Sequence, residues 1–395
     1  MDALTDQTST TKVQRETGVA TRVVLTSFDP GRATAISARF VATGARLQAQ
    51  TPGRIVADVA TTAARLLPDF AFYTYGQALH LVATVKGVDV GRCSAMINTR
   101  ALDDDGRQNG YIGNWECIDD DAVAFAMLDK AVEWLREHDC HQIFGPIDFS
   151  TWYGYRFSIG PWEAPPVLFE PYTPPHYDEQ WRRFGFAYDE TYFTDRVDDP
   201  GAYVTRTEER LKTALEMGVR FRCLNRAKFD EALRSVYDLS VDQFSNPHFT
   251  KVDFDEFKAM YAGSSGSIDP RLFIFAIAPD GSIGGFVFGI PNFARASAAL
   301  QGQPTLPRKL RALANKRHAN SVLIKTFAVD KRMRGYGIGS LLANRVIQAA
   351  ADLGYDRVHN MTMHESNLSK KMSEGGGGVP IRRYATYRLA SAASE

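Results

Sequence analysis

Apolar and polar residues alternate along this chain in two similar series of strand and helix patterns. In the first series, strands are predicted at 79–86, 88–98, 111–118 and 141–147, with a helix from Val123 to Leu135 before the last of them. In the second series, strands are predicted at 271–279, 282–290, 321–330 and 357–363, with a helix at 340–353. Because the same order of elements occurs twice, the pattern predicts two similar domains in tandem.

A charged turn near 198–201 separates the two series, and a linking helix is predicted at 203–217. The expected division is therefore a domain at 21–200 and a second domain at 201–395. Residues 1–20 are polar and threonine-rich, without the apolar stretch of a signal peptide, so a disordered tail is expected there. Because the chain contains no run of about 18 apolar residues, we expect no membrane span.

The most informative segment joins the strand that ends at Asp330 to the helix that begins at Ser340. It reads Arg334-Gly335-Tyr336-Gly337-Ile338-Gly339. Glycines let backbone N–H groups approach an anion, and the N-terminus of the next helix favours negative charge at the same place. The segment lacks the Gly-Lys-Ser/Thr of a P-loop, and its G-x-G-x-G spacing departs from the dinucleotide fingerprint. It predicts a cradle for a cofactor that carries a pyrophosphate.

The order R-x-x-G-x-G after a strand ending in 327–329 resembles the acetyl-CoA signature of the GCN5-related N-acetyltransferase (GNAT) superfamily. The resemblance covers about 219–389, because an asparagine-bearing segment and a final strand at 382–389 follow in the family's order. It implies an α/β fold of two tandem GNAT-like domains, each with a mixed, mostly antiparallel sheet flanked by helices. It also implies acetyl-CoA as the cofactor, bound by Phe327, Ala328, Val329, Arg334, Gly335, Tyr336, Gly337, Ile338, Gly339, Ser340 and Asn367.

The first series differs at the matching loop, where Asp119, Asp120 and Asp121 stand in place of arginine and glycines. Carboxylates cap a helix N-terminus themselves and repel a pyrophosphate. We therefore expect only the second domain to bind CoA, and the first to shape the substrate site or to serve a structural role.

Acyl transfer to an amine requires a group that removes a proton from the nitrogen. His364 and Glu365 are the candidates, although Glu365 equally fits a position beside the N-cap of the next helix. The family's usual general acid is a tyrosine seven residues after the asparagine, and this chain has Glu374 there. Either Tyr384 or Tyr387 from the last strand substitutes for it, or solvent does.

Aromatic and proline-rich segments at 145–156 and 170–177 form either the wall of a substrate pocket between the domains or an aromatic core. The candidates for substrate contact there are Trp152, Tyr155 and Arg156, the last for an anionic group. In the family, helices after the first strand of a domain lie over the acceptor site, which adds Asp242, Asn246 and His248. His248 fits a surface turn equally well.

A basic insert at 294–320 contains Arg308, Lys309, Arg311, Lys316 and Arg317. It is either a flap toward an acidic substrate or the CoA phosphates, or a solvated helix face. The whole chain is balanced, with 46 basic and 46 acidic residues, so no net charge attracts nucleic acid or a membrane. Four scattered cysteines have no metal-binding spacing, so we expect no metal site and reduced thiols in a cytoplasm.

These features predict an N-acetyltransferase that uses acetyl-CoA and acylates a small-molecule primary amine by direct attack, without a covalent enzyme intermediate. The resemblance to tandem members of the family points to an intermediate of natural-product or antibiotic synthesis, with an aminophosphonate as one candidate. A Fem-like aminoacyl transferase and a non-catalytic acyl-CoA sensor are the alternatives. The oligomeric state is not predicted by the sequence.

Overall fold

The computed structural model describes residues 7–13, 21–31, 34–216, 218–243, 248–262, 264–333 and 337–389. Its strands are β1 (Gln7–Val13), β2 (Thr21–Phe28), β3 (Gly76–Val85), β4 (Val88–Leu102), β5 (Gln108–Cys117), β6 (Gln142–Gly145), β7 (Phe157–Gly160), β8 (Ala187–Val197), β9 (Arg220–Cys223), β10 (Phe273–Ile277), β11 (Ile283–Pro291), β12 (Ser321–Val329), β13 (Arg357–His364) and β14 (Val379–Leu389). Its helices are α1 (Ala35–Gln50), α2 (Val59–Ala64), α3 (Asp121–Glu137), α4 (His176–Phe184), α5 (Pro200–Glu216), α6 (Phe229–Gln243), α7 (Phe254–Met260), α8 (Ala294–Leu300), α9 (Leu306–Lys316), α10 (Ile338–Asp352) and α11 (Leu368–Gly375).

The ends of several helices follow from local side chains. Thr34 begins α1 with a reciprocal capping box to Ser37, and the Asp58 carboxylate accepts from the Thr61 N–H at the start of α2. Asp120 caps α3 through the Ala122 N–H. Gly185 ends α4 in the left-handed conformation that a glycine adopts without steric cost.

All fourteen strands that the described residues form belong to one sheet. Its order is β1-β2-β3-β4-β5-β6-β14-β8-β13-β12-β11-β10-β9, with β7 pairing to β14 beside this path. Neighbouring strands are antiparallel except for β5 with β6 and β12 with β13, which are parallel. The fold is therefore two copies of one strand arrangement, joined edge to edge.

The two halves exchange their last strands at the centre of the sheet. β14, which ends the second half, pairs with β6 of the first half. β8, which ends the first half, pairs with β13 of the second. Since β8 and β14 also pair with each other, the halves share a continuous backbone ladder. The predicted boundary at 198–201 follows the end of β8, and α5 then leads into the second half.

Hydrophobic cores lie on both sides of this sheet. In the first half, α3 and α4 cover one face with residues such as Met127, Leu135 and Trp181. In the second half, α10 covers one face through Leu341, Leu342 and Val346, while α6 and α7 cover the other.

The observed elements confirm the predicted α/β class and the mixed, mostly antiparallel sheet, and every strand and helix predicted in the two series is present. One feature differs. Residues 7–13, inside the expected disordered tail, form β1, which pairs with β2. Of the two alternatives for the insert at 294–320, the helices α8 and α9 agree with the solvated helix face. The sequence pattern also left α1 and α2 unassigned.

Candidate active site

The two parallel strands of the second half separate in the middle of the sheet. β12 and β13 are paired from Ser321 with Arg357 as far as Ile324 with Asn360, and the register ends there. Beyond that point β12 remains bonded to β11 on its other side, and Thr362 of β13 has a positive φ of 44°. The separation leaves a wedge between Lys325–Val329 and 361–364, with a backbone edge on each side.

The helix α10 begins at the wide end of this wedge. Gly337, its N-cap, has a φ of 72°, a left-handed conformation that side chains with a Cβ rarely adopt. A Cβ built on Gly339 would lie 3.3 Å from Phe327 Cζ and 3.5 Å from Met372 Cε, so a side chain there would narrow the entrance. Ile338 is buried in the core, so only its backbone faces outward. Arg334, Gly335 and Tyr336 lie outside the described residues.

Opposite α10, the short helix α11 lines the other wall of the wedge. Asn367 caps it through the Ser369 N–H, so its side chain has a structural role in addition to any contact with a ligand. One turn from its end, the Ser373 hydroxyl accepts a hydrogen bond from Asn360 Nδ2 at 2.8 Å. Asp195 of β8 lies beneath this pair, fully buried, and burial raises the pKa of its carboxyl.

His364, the last residue of β13, has a charged partner that the sequence did not indicate. Its Nε2 lies 2.5 Å from Glu190 Oε2, and its Nδ1 accepts from the Ser366 N–H at 3.1 Å. The neutral ring therefore carries its proton on Nε2, toward Glu190. Because Ser366 Oγ is 2.7 Å from Nδ1, this hydroxyl connects the ring to the outside. Glu365 instead pairs with Arg383 at 3.4 Å.

The two candidate tyrosines of β14 are buried in the interior. The Tyr384 hydroxyl donates to Thr194 Oγ1 at 3.4 Å, and the Tyr387 hydroxyl donates to Asp178 Oδ1 at 2.7 Å. Burial, and then a neighbouring carboxylate, raise the pKa of both phenols, which opposes loss of their protons.

A single large cavity of about 1540 Å³ contains the wedge and continues across the first half. In the second half its walls are the splayed strands, α11, α7 and the end of α8. In the first half they are the 54–71 segment around α2 and the aromatic segments at 146–157 and 166–173. Trp152, Tyr155 and Arg156 lie in this wall, so the structure brings these three predicted residues to the same cavity as the splayed strands.

Arg156 is the predicted residue with the most unusual surroundings. Its guanidinium carbon lies 3.6 Å from the ring centre of Tyr155 and 4.3 Å from that of Tyr192. Its NH1 donates to the Thr362 carbonyl at 3.3 Å, and its buried Nε has no hydrogen-bond partner among the described residues. The Arg156 side chain, which belongs to the first half and is only 9% exposed, therefore contacts the bulge of β13 in the second half.

The candidates after α6 lie elsewhere. Asp242 is exposed at the end of α6 and contacts Gln243 Nε2 at 3.3 Å. His248 pairs with Asp189 of β8 at 2.7 Å and stacks on Phe144 of β6, so it ties the two halves together. Asn246 lies outside the described residues.

Among the charged side chains of the cavity wall that the sequence did not predict, three have informative contacts. Glu256 accepts from the hydroxyls of both Tyr75 and Tyr153, at 2.8 and 2.6 Å. Lys325, in the splayed part of β12, lies 5.0 Å from the ring of Phe169 and 5.1 Å from that of Tyr261. The signal for Lys325 was present, because it is the one cation in an otherwise uncharged strand, 321–329.

Glu170 is the third of these side chains. It forms a fully buried ion pair with Arg382 at 2.9 Å, and burial raises the pKa of Glu170 while Thr194, Tyr384 and Arg382 oppose that rise. Nothing in the local sequence marks this contact, which joins residues 212 positions apart.

The chemistry that this arrangement supports is the transfer of a group held between the splayed strands. The free edge of β12 presents backbone N–H groups to an oxygen placed in the wedge. His364, paired with Glu190, is the candidate base, and the cavity offers room for an acceptor. Among the described residues no cluster of potential metal ligands occurs, and no helix is long and apolar enough to cross a bilayer.

The sequence of this chain is similar to a known protein family and to several known proteins. Residues 233–370 match the "Acetyltransferase (GNAT) family". The chain is 27% identical over 363 residues to the "Bacterial ceramide synthase" of Caulobacter vibrioides (strain NA1000 / CB15N), covering 89% of this chain and 94% of that protein. It is 24% identical over 321 residues to "Protein YghO" of Escherichia coli (strain K12), covering 78% and 80%.

A solved structure supports the tandem arrangement. A tandem GNAT protein from the clavulanic acid biosynthesis pathway superposes with a TM-score of 0.52 at 12% identity, over 94% of this chain and all of that one. At this level of identity the similarity concerns the fold.

Proposed function

Because this chain belongs to the GNAT superfamily and is an acyltransferase, we propose that it transfers a long acyl chain from CoA to the amine of a long-chain amino alcohol. A ceramide is the amide of a fatty acid with such an amino alcohol, and a relative that aligns along nearly its whole length is named a ceramide synthase. The proposed product is an amide lipid of this class. The proposed acceptor replaces the small natural-product amine expected from the sequence resemblance.

The observation that carries the proposal is the size and continuity of the cavity. Pockets for ordinary small ligands measure about 300–1,000 Å³. At about 1540 Å³, this cavity exceeds that range. The pantetheine arm of CoA would occupy the wedge part of the cavity. In the remaining space an acetyl group and a small amine would leave room filled with water, whereas two aliphatic chains would remove its apolar walls from water.

The character of the wall agrees with aliphatic ligands. Apolar and aromatic residues predominate, including Leu66, Phe70, Phe149, Trp152, Val167, Leu168, Phe257 and Met260. The wall also contains charged side chains, many of them near α2 in the first half. Glu256, Lys325 and Arg156 mark positions where hydroxyl, carbonyl or amine groups of a substrate would be held.

The residues around the wedge fit a CoA thioester. Gly337 and Gly339 leave the start of α10 accessible to a phosphate, and the splayed edge of β12 offers backbone groups to a pantetheine arm. When bound, the CoA thioester supplies an acyl group activated for attack by an amine. Acetyl-CoA, the donor expected from the resemblance, is the short-chain alternative.

In the proposed reaction, side chains and backbone groups of this chain transfer protons and stabilise the developing oxyanion. His364, through Nδ1 and the Ser366 hydroxyl, accepts the proton that the ammonium group of the acceptor must lose, and Glu190 stabilises the imidazolium so formed. Backbone N–H groups of 327–329 donate to the carbonyl oxygen as charge develops there. The Ser373 hydroxyl, held by Asn360, lies next to Glu374, the position of the family's tyrosine, and relays a proton from solvent to the leaving sulfur.

The test is a donor and acceptor matrix. Purified protein is incubated with acetyl-, octanoyl- or palmitoyl-CoA and with sphinganine, 3-ketosphinganine, a short amino alcohol or an aminoalkylphosphonate. Free thiol release and mass spectrometry of the amide are measured. We expect turnover to rise with the length of both partners. Acetylation of the short amines without acylation of the long ones would overturn the proposal in favour of a small-molecule acetyltransferase. Binding of acyl-CoA without any product would favour a sensor.

A further inference from the structure

The helix α9 presents its apolar face to water. Leu306, Leu310 and Leu313 are 72%, 60% and 64% exposed, which makes them the three most exposed large hydrophobic residues in the described part of the chain. Their spacing of four and three residues places them on one stripe of the helix. An exposed leucine is ordinary in isolation, but an aligned stripe of three marks an interaction surface.

The opposite face of α9 is the one that packs on the protein. Ala312 is buried, and Arg308 and Asn315 are half-buried at the same i, i+4, i+7 spacing. This side lies against α8, the other helix of the insert. The usual orientation of a surface helix, with its leucines inward, is therefore reversed. The reversal shows that the leucine stripe is not part of the core of this chain.

Basic side chains lie on the same exposed helix as the leucine stripe, and Lys309 is three residues from Leu306 and four from Leu313. Lys309, Arg311, Lys316 and Arg317 are all exposed, and the described structure places no acidic side chain in an ion pair with any of them. Neither α9 nor the two residues after it contain an acidic residue. A leucine stripe bordered by lysine and arginine is the pattern of helices that lie in the interface of a bilayer with anionic lipid.

The insert that carries α9 also covers the cavity. Ser297, Leu300 and Gly302 line its wall, and the Gly302 carbonyl accepts from the Val59 N–H at 2.8 Å, which joins the insert to α2 of the first half. On the other side, the Leu168 N–H donates to Asn292 Oδ1 at 3.2 Å. Leu168 precedes Phe169, an exposed aromatic residue of the cavity wall. The leucine stripe is therefore borne by the same insert that closes this end of the cavity.

We infer that α9 docks the protein on the surface of an anionic phospholipid bilayer, with Leu306, Leu310 and Leu313 inserted among the lipids and the flanking basic residues against the headgroups. The docking is interfacial and involves no spanning segment, in agreement with the lack of a membrane-crossing helix in the described residues. It goes beyond the proposed reaction, because vesicle binding requires no turnover.

The experiment is co-sedimentation of the full chain with phosphatidylglycerol vesicles or with phosphatidylcholine vesicles. We expect binding to the anionic vesicles that weakens with added salt, and much weaker binding to the zwitterionic ones. The triple variant L306Q/L310Q/L313Q should lower the partition coefficient by about 100-fold or more. K309Q/R311Q should lower it by roughly 10-fold or more on phosphatidylglycerol only.

The matched control is V88Q/L102Q/V379Q, which removes three apolar side chains of comparable exposure from strand ends instead. It should bind vesicles like the unaltered protein. Circular dichroism establishes folding of every variant, and acylation of a soluble short-chain amine, if the unaltered enzyme accepts one, adds a second check of the site.

Three results would overturn the inference. The unaltered protein could fail to bind phosphatidylglycerol vesicles, or the leucine variant and the control could lose binding equally. Third, the unaltered protein could form a dimer that the leucine variant abolishes while neither binds vesicles, which would assign the stripe to a second copy of the chain. None of these bears on the acylation reaction, and a failure of acylation would not affect vesicle binding.

Discussion

The two parallel strand pairs of the sheet begin alike and end differently. In the second half, β12 and β13 part after Ile324 and Asn360, and the wedge stays open. In the first half, β5 and β6 are paired from Asn109 to Tyr111, and the chain after β6 then continues along β5. The Ile147 N–H donates to the Ile112 carbonyl at 3.0 Å, so the equivalent gap is closed by backbone.

The closing segment of the first half, 146–156, is fastened by several polar contacts. The Asp148 carboxylate accepts from the Asn114 N–H at 2.5 Å, and burial raises the pKa of this carboxyl. Ile147 forms an isolated bridge with Tyr155. The same segment ends at Arg156, which reaches the bulge of β13. The first half therefore has no open cleft between its parallel strands, and its Arg156 side chain reaches the cleft of the second half.

The N-termini of α3 in the first half and α10 in the second half also differ, because only α3 is capped by a carboxylate. Asp120 occupies the N-terminus of α3 with its own carboxylate, and Asp121 pairs with Arg183 at 2.9 Å. At α10 the N-cap is Gly337, with no side chain to occupy the same position. An anion-accepting helix start and an open strand pair occur together in the second half, and both are absent from the described part of the first. The comparison predicts that the two halves respond oppositely to matched substitutions.

The largest effect is expected for Gly339→Leu at the start of α10. Its side chain would crowd Phe327 and Met372, and misplacing an acyl donor by even about 1 Å costs roughly 100-fold in turnover. Acyl-CoA binding by calorimetry and kcat/KM should both fall by at least that factor, with the circular dichroism spectrum unchanged. Asp121→Asn at the start of α3 is the first-half control and should leave both values as they were. Equal losses from the two variants would mean that the halves do not differ in donor binding.

The next effect concerns the closed cleft. A Cβ on Gly145 would collide with the Ile112 carbonyl oxygen and would lie 2.6 Å from Trp181 Cη2. Gly145→Ala should therefore lower the free energy of unfolding by about 1–3 kcal/mol in urea titrations. Gly266→Ala, where nothing lies within 4 Å, should change it far less. If both variants were equally stable, the segment at 146–156 would be looser than its contacts indicate.

Arg156 tests the link between the halves. Arg156→Ala removes charge-assisted donors from the cavity wall, which are worth about 1.5–3 kcal/mol each when used by a ligand. We expect the KM of the acceptor to rise about 10- to 100-fold, with a smaller change in kcat. Arg156→Lys should recover part of the loss, since a lysine keeps the charge but not the planar donors. An unchanged acceptor KM would remove Arg156 from substrate binding.

The last comparison concerns the acid sensitivity of a buried histidine in each half. Burial, then nearby arginines, lower the pKa of His80 in the first half to about 3 and of His359 in the second to about 4. Both folded values lie below the ordinary value of about 6.5, so the unfolded chain binds more protons and stability falls as the pH drops below that value. Each histidine contributes about 1.4 kcal/mol of loss for every pH unit until its folded pKa is reached.

Urea titrations at several pH values between 7 and 3 measure this loss. His80→Gln and His359→Gln should each flatten the pH dependence relative to the unaltered chain. Because the folded pKa of His80 is the lower, only its contribution should continue to grow below pH 4. An identical slope with and without His80 would show that this ring is protonated in the folded protein.

Much of the fold followed from periodicity. The strands and helices of both series appear where alternation and helical spacing predicted them, because each buries one face against a neighbour and that burial leaves a pattern in the sequence. On the predicted cofactor side, Gly337 has a left-handed backbone conformation that favours glycine, and Gly339 keeps a side chain away from Phe327 and Met372. Arg334–Tyr336, also predicted to bind the cofactor, remain a prediction outside the described residues.

The rest depended on contacts that span the chain. Glu190 with His364, Arg156 with Thr362, and Glu170 with Arg382 are each separated by more than 170 positions. The exchange of β8 and β14 brings these partners together, and no local pattern encodes which strand lies beside which. By itself the sequence determined the two similar halves and the glycine loop of the second. The tertiary structure decided that one cleft is closed, that both halves line one cavity, and that the leucines of α9 face outward, because those outcomes depend on long-range packing.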